Sequence, residues 1–269
     1  MRIGICQTDI FFEDKERNLN AAEKYIKAMS DSKVRLALFP EMSMTGFTMK
    51  PECFYEDEKG RTYSVMAKLT SKYNIYIGYG YISRKNSGYY NTYVIIDNLG
   101  KIICSYDKIH PFTYAGEDRV YEKGSSLSFG QIDDITVCPL ICYDLRFPEL
   151  FIKASKKADL ITVAANFGGP RDGHWQVLLK ARAIENQTYI AGINRAGEDV
   201  STYYMGHSMA VSPKGDVISM AGEKEDIIIA DIDKEEEYEY RKKFPVRNDF
   251  RPEIYKNLKV RILSEILTE

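Results

Sequence analysis

Two periodicities alternate along the chain. Residues 3–8 alternate as a strand does, whereas residues 17–29 place Leu19, Ala22, Tyr25, Ile26 and Met29 at the spacing of one helix face. Residues 34–39 form a compact apolar strand that stops at Pro40. A helix is predicted over 62–72, then strands over 75–83, 89–97 and 101–106, with the turn signal Asn98-Leu99-Gly100 between the last two. Further strands are predicted over 135–142, 160–165, 188–194, 208–212, 216–220 and 227–232, and helices over 147–156 and 175–186. Pro148 suits the first turn of its helix. The acidic run 233–239 begins a surface helix whose charges face solvent.

This order of elements predicts one α/β domain over 1–269, without repeats, low-complexity stretches or linkers. The adjacent strands 89–97 and 101–106, like 208–212 and 216–220, read as hairpins and argue against a purely parallel sheet. Two mixed sheets covered by helices fit the pattern. The N-terminus has no apolar core ahead of a cleavage site, and no apolar run approaches the roughly 18–20 residues that span a bilayer. A cytoplasmic protein that engages no membrane is expected.

Composition narrows the chemistry. With 37 Lys+Arg against 39 Asp+Glu the net charge is −2, which gives no electrostatic reason to bind nucleic acid. Five Cys are too sparse for a disulfide framework and point to a reducing compartment. Three His are few for an enzyme built around imidazole. No His/Cys cluster has metal-ligand spacing, so neither metal nor cofactor is expected.

Three segments join an apolar strand to an abrupt polar residue at its C-terminal end, where sites form in α/β sheets. The first is Phe39-Pro40-Glu41, the second Tyr106-Asp107-Lys108-Ile109-His110, the third Ile141-Cys142-Tyr143-Asp144-Leu145-Arg146. A helix N-cap or ion-paired Glu, a surface Lys and a buried core Cys are the ordinary alternatives for these residues taken singly. Cys142 stands at a strand–helix junction, where a helix N-terminus favours the thiolate and backbone N–H groups can hold an oxyanion. Cys6, Cys53, Cys104 and Cys138 keep the buried-core reading. A Cys nucleophile needs a base. His110, His174 and His207 are candidates, and the pair Cys142–His110 stays open; a Glu base with Lys108 as the cation is the better-furnished alternative. Gly206-His207-Ser208 resembles a serine-hydrolase elbow, but a strand follows it where a helix is needed.

Taken in order, the segments Phe39-Pro40-Glu41, Asp107-Lys108-Ile109-His110 and Cys142-Tyr143-Asp144-Leu145-Arg146-Phe147-Pro148-Glu149 resemble the carbon–nitrogen hydrolase (nitrilase) superfamily. The resemblance runs from the first strand to Phe250–Tyr255. It implies a four-layer α-β-β-α sandwich of two mixed sheets and a homodimer with the helices beside the nucleophile at its interface. It implies Glu41 as general base, Lys108 as oxyanion-stabilising cation, Cys142 as nucleophile and Glu117 as a second carboxylate in the site. The Tyr143 N–H would share the oxyanion with Lys108.

Within the superfamily the chain is most similar to omega-amidases, on Glu41 to Phe47, Cys142 to Pro148, Pro170 to Gln176 with Lys180 to Gln187, and Gly206 to Ser208. That branch implies a small amide substrate bearing a carboxylate, such as 2-oxoglutaramate. Tyr143-Asp144 stands where true nitrilases carry Trp-Glu, which speaks against nitrile hydrolysis. Such a substrate calls for a further cation: Arg146 is the first candidate and Arg171 the second, a structural salt bridge to Asp144 or Glu149 being the alternative for Arg146. Phe47, Phe112, Phe167 and Trp175 are candidate pocket walls. An N-carbamoyl amidohydrolase and a non-catalytic binding protein of the same fold are the other readings.

Overall fold

The strand alternation explains the layering. In β1 (Arg2–Gln7), Ile3 and Ile5 enter one apolar layer, while Cys6, on the opposite face, enters another. In the computed structural model, which describes residues 1–86, 88–200, 202–255 and 257, β1 belongs to the first of two six-stranded sheets. Its companions are β2 (Leu36–Leu38), β3 (Tyr76–Lys85), β4 (Gly88–Ile96) and β5 (Ile102–Asp107). The second sheet holds β6 (Gly130–Ile132), β7 (Ile135–Ile141), β8 (Leu160–Ala165) and β9 (Tyr189–Asn194). A separate hairpin, β10 (Ala196–Glu198) with β11 (Tyr203–Met205), precedes β12 (Met209–Val211) and β13 (Val217–Met220), which complete that sheet. The last strand, β14 (Asp226–Asp231), returns to pair with β1.

Strand orders are β14-β1-β2-β3-β4-β5 and β13-β12-β9-β8-β7-β6. Both sheets are mixed: β1, β2 and β3 are parallel, as are β7, β8 and β9, while the outer pairings are antiparallel. Leu36, Leu38, Tyr93 and Ile95 of the first sheet share a buried cluster with Val137, Ile141 and Ile193, which lie on the face of the second sheet opposite α5. Helices α1 (Lys15–Asp31) and α3 (Arg61–Tyr73) cover the first sheet through Leu19, Ile26, Met29, Met66 and Leu69; α2 (Pro51–Phe54) is a single turn between them. Helices α4 (Pro148–Ala154) and α5 (Asp172–Asn186) cover the second through Phe151, Trp175, Leu179 and Ala183. The α-β-β-α layering follows.

Several expectations change here. The charges of the acidic run in α6 (Lys234–Lys243) are not all solvated: Glu237 is buried and paired with Arg241 one turn on. Burial pushes its carboxyl up to about 8 against the pull of Arg241. Cys53 is exposed on α2, while Cys6, Cys104 and Cys138 are buried. The 147–156 helix shortens to Pro148–Ala154, and a five-residue 3₁₀ turn, Cys142–Arg146, separates it from β7. Among the described residues no helix is long and apolar enough to cross a membrane.

Candidate active site

Topology brings three strand ends to one edge. The parallel strands β2 and β7 finish at Leu38 and Ile141, and β5, two antiparallel steps from β3, runs the same way as β3. Glu41, Lys108 and Cys142 follow these ends, and Asn166 follows β8. Met42, at φ +44°, turns the chain straight after Glu41. That turn lies on Gly80: a Cβ there would come 2.4 Å from the Met42 nitrogen and 3.0 Å from the Glu41 backbone. Any side chain at position 80 would displace the carboxylate. Cys142 itself has φ +45°, a conformation a non-glycine residue holds at some cost. The thiol therefore projects from a strained turn.

Glu41, Glu117 and Lys108 are buried almost completely. Lys108 Nζ donates to Glu41 Oε1 at 2.8 Å and to Glu117 Oε2 at 2.8 Å. Asn91 Nδ2, from β4, bridges the same carboxylates at 2.7 and 2.9 Å. The Asn166 backbone N–H donates to Glu41 Oε2 at 2.8 Å, and Asn166 Nδ2 to the Glu41 backbone carbonyl at 2.8 Å. Glu117, on the 3₁₀ turn Glu117–Arg119, also accepts the Phe112 N–H at 2.5 Å. The Glu41 carboxylate also acts on the Cys142 thiol.

Two buried carboxylates around one ammonium leave a net negative charge, and the ionisations follow from it. Burial pushes the Glu41 carboxyl up, but Lys108 with the Asn166 and Asn91 donors outweighs it and holds the group below the usual carboxylate range. For Glu117, burial and the neighbouring Glu41 charge prevail over Lys108 and hold it above. Burial works to discharge Lys108, yet Glu117, Glu41 and Cys142 raise it further. Burial and Glu41 hold the Cys142 thiol well above its ordinary value, with Lys108 opposing. This overturns the expected resting thiolate. A 3₁₀ turn offers little helix dipole, and the adjacent carboxylate dominates. A thiol beside an ionised carboxylate is instead set to give up its proton as it attacks.

The thiol faces a cavity of about 110 Å³. Phe47, Phe112, Tyr143, Arg146, Phe167 and Arg171 stand in its wall. Trp175, expected there, does not: it is fully buried behind Phe167, ring centroids 5.3 Å apart, and donates to the His207 carbonyl. Arg146 pairs with neither Asp144 nor Glu149. Its guanidinium lies 5.5 Å from the Phe167 ring and contacts His174 Nδ1 at 3.2 Å. Arg171 lies over Phe112 at 5.2 Å. Neither arginine has a carboxylate partner among the described residues.

The histidines are engaged elsewhere. His110 Nδ1 meets Asp144 Oδ1 at 2.9 Å and its ring stacks on Phe147 at 3.7 Å; His207 Nδ1 meets Asp172 at 2.8 Å. His110, left open as a partner of Cys142, is thus engaged with Asp144 and Phe147. Asp144 is the tie between two motifs. It accepts the Tyr106 hydroxyl, the His110 N–H and the Ile141 N–H, and so braces the Lys108 loop against the Cys142 turn. Ser208 is buried and bonded to Asn194, a structural residue. Sequence reasoning missed Asn91, Asn166 and the bracing role of Asp144. The available signal was polar Asn91-Thr92 inside an apolar strand, and Asn166 directly after one.

The pH profile follows. The acid limb of kcat/KM is expected to belong to the Glu41–Glu117 pair, titrating as a unit. Activity falls as that pair protonates, and His110→Gln, His174→Gln and His207→Gln should leave the limb where it is. A limb that moves in any one of these variants would make that histidine the base.

The family model for carbon-nitrogen hydrolases matches residues 2–242, and the chain belongs to that family of amide-hydrolysing enzymes. It is 36% identical over 256 residues to the 2-oxoglutaramate amidase of Bacillus subtilis, covering 94% of this chain and 98% of that protein. An omega-amidase of Xenopus laevis is 33% identical over 256 residues, covering 90% and 92%. Among solved structures, Nit3 of Saccharomyces cerevisiae, a nitrilase-superfamily protein, superposes with a TM-score of 0.83 at 26% identity over 91% of this chain and 94% of its own. XC1258 of Xanthomonas campestris shares the fold, with a TM-score of 0.88 at 24% identity over 98% and 99%.

Proposed function

We propose that this chain is a cysteine amidohydrolase of the omega-amidase type, acting on small amides that bear a carboxylate, 2-oxoglutaramate among them. One observation carries the reading: the Cys142 thiol, raised by the Glu41 carboxylate, shares its cavity wall with Arg146 and Arg171, which have no carboxylate partner among the described residues. The relatives' activities point the same way. Cys142 attacks the amide carbon and passes its proton to Glu41. Lys108 and the Tyr143 N–H hold the oxyanion. Glu41 then protonates the nitrogen, the C–N bond breaks and ammonia leaves a thioester on Cys142. Water activated by Glu41 hydrolyses that thioester. Glu117 holds Lys108 in place throughout.

Ammonia release from 2-oxoglutaramate and succinamate is expected to exceed that from N-carbamoyl-β-alanine and N-carbamoylputrescine. The reverse order would establish the carbamoyl reading, and no turnover of any amide the binding-protein reading. A charge-assisted contact to the substrate carboxylate is worth roughly 1.5–3 kcal/mol. Arg146→Ala should therefore raise KM by ~10–100-fold for anionic amides and spare a neutral amide of equal length. Equal effects on both would make Arg146 structural and shift the role to Arg171.

A homodimer in the cytoplasm completes the proposal. Val177 and Ile184, one heptad apart on α5, are exposed, and Ile152 of α4 lines a neighbouring groove with Val246 and Phe250. A second copy would cover this face, and light scattering on the purified chain tests it.

A further inference from the structure

Asn166 has donors that are spent and an acceptor that is not. Its backbone N–H and Nδ2 both point at Glu41, the latter to the backbone carbonyl at 2.8 Å and to Oε2 at 3.3 Å. Flipping the amide would set Oδ1 against those two oxygens, acceptor on acceptor, so the network decides its orientation. Asn166 is 8% exposed, and its Oδ1 is buried with no hydrogen-bond partner among the described residues. The residue stands in the wall of the cavity that holds Cys142. A buried acceptor left unmatched is costly, and a site that carries one beside a reacting group is furnished for a donor.

We propose that Asn166 is a substrate-contacting residue: its Oδ1 accepts an N–H of the scissile carboxamide, which favours amides over esters of the same acyl group. The inference rests on the amidase reading above. Chemistry places the donor. After Cys142 Sγ bonds to the carbonyl carbon, the thiol proton held by Glu41 goes to the amide nitrogen, the C–N bond breaks and ammonia departs. That nitrogen must come within hydrogen-bond reach of the Glu41 carboxyl, whose Oε2 lies against the Asn166 amide. It bears two N–H groups, and one directed away from Glu41 meets Asn166 Oδ1. An ester has no N–H to offer. It brings alkoxy lone pairs to a buried acceptor, and a site built to bond a substrate N–H discriminates against the analogue that lacks it.

The test separates this contact from mere support of Glu41. Asn91 also holds Glu41 but does not line the cavity, so Asn91→Ala serves as the control for support alone. The substrates are succinamate and monomethyl succinate, which give the same acyl-enzyme. Asn166→Ala also loses the Nδ2 bonds to Glu41, so both substrates should slow, but kcat/KM for the amide should fall ~5–30-fold further than that for the ester. Asn166→Leu, which keeps the branched shape at a somewhat larger volume, should shift the amide-to-ester ratio the same way and guards against local collapse. Asn91→Ala should lower both substrates together. An unchanged amide-to-ester ratio in both Asn166 variants overturns the inference, as does an equal change of ratio in Asn91→Ala. No turnover of the amide by the unaltered enzyme would overturn the amidase reading itself, and is seen before any variant is made.

Discussion

Cys142→Ala is expected to abolish amide hydrolysis, by ~10⁴-fold or more, because no covalent route to the acyl-enzyme remains. Glu41→Gln should lose ~10³-fold, within the usual range for a general acid–base residue. The two variants should then part company under mild alkylation. Cys142→Ala has no thiol there to react. In Glu41→Gln the carboxylate that raises the Cys142 thiol is gone, while Lys108, which lowers it, stays. The thiolate becomes easier to form, so iodoacetamide should modify Cys142 in Glu41→Gln at least as fast as in the unaltered protein. Because exposed Cys53 would add the same mass, intact-mass measurement against time is made in a Cys53→Ser background, where it reads Cys142. Loss of both turnover and alkylation in Glu41→Gln would mean that Glu41 creates the nucleophile at rest, and the order of proton transfer argued here would be wrong.

The legible parts of the site were those in which chemistry interrupts an apolar strand. Glu41, Lys108 and Cys142 each close such a strand, and two mixed sheets bring those ends together. Glu117 was readable only through the family resemblance, because its place depends on two successive 3₁₀ turns, Thr113–Ala115 and Glu117–Arg119, without periodicity. Asn91 and Asn166 were silent for another reason. An isolated Asn reads as a turn residue, and its value here lies in partners 50 and 125 residues away along the chain. Trp175 misled because aromatic bulk near a motif does not say which layer it occupies. The acidic run misled at Glu237, since one buried position in a ten-residue helix of mostly charged residues leaves no mark on composition. The strands β6, β10 and β11 have three residues each, too few for a period of two to register.

The expected Cys142 thiolate failed because local position was weighed without the charge that folding places beside it. The same charge balance yields the second large prediction. Lys108→Met should cost ~3–5 kcal/mol of stability as well as nearly all activity, since removing one partner from a buried ionic set leaves the others uncompensated. Glu41 and Glu117 would face each other across Asn91 with no cation between them. One carboxyl must then bind a proton far more readily, its folded-state pKa rising above the unfolded value of about 4.3. For Glu41, held low in the unaltered protein, the sign is opposite to that of the raised carboxyl in Lys108→Met. In the unaltered protein Glu41 is held low, so its contribution is present above the unfolded pKa and fades as pH falls through the folded one. In Lys108→Met the penalty is full at neutral pH and eases as pH falls through the raised pKa. The gap in Tm between the two should therefore narrow on acidification, and adding Glu117→Gln to Lys108→Met should recover stability at neutral pH without recovering turnover. A gap that is constant from neutral to acid pH would show that Lys108 contributes packing alone, and would remove the electrostatic basis for placing it at the oxyanion.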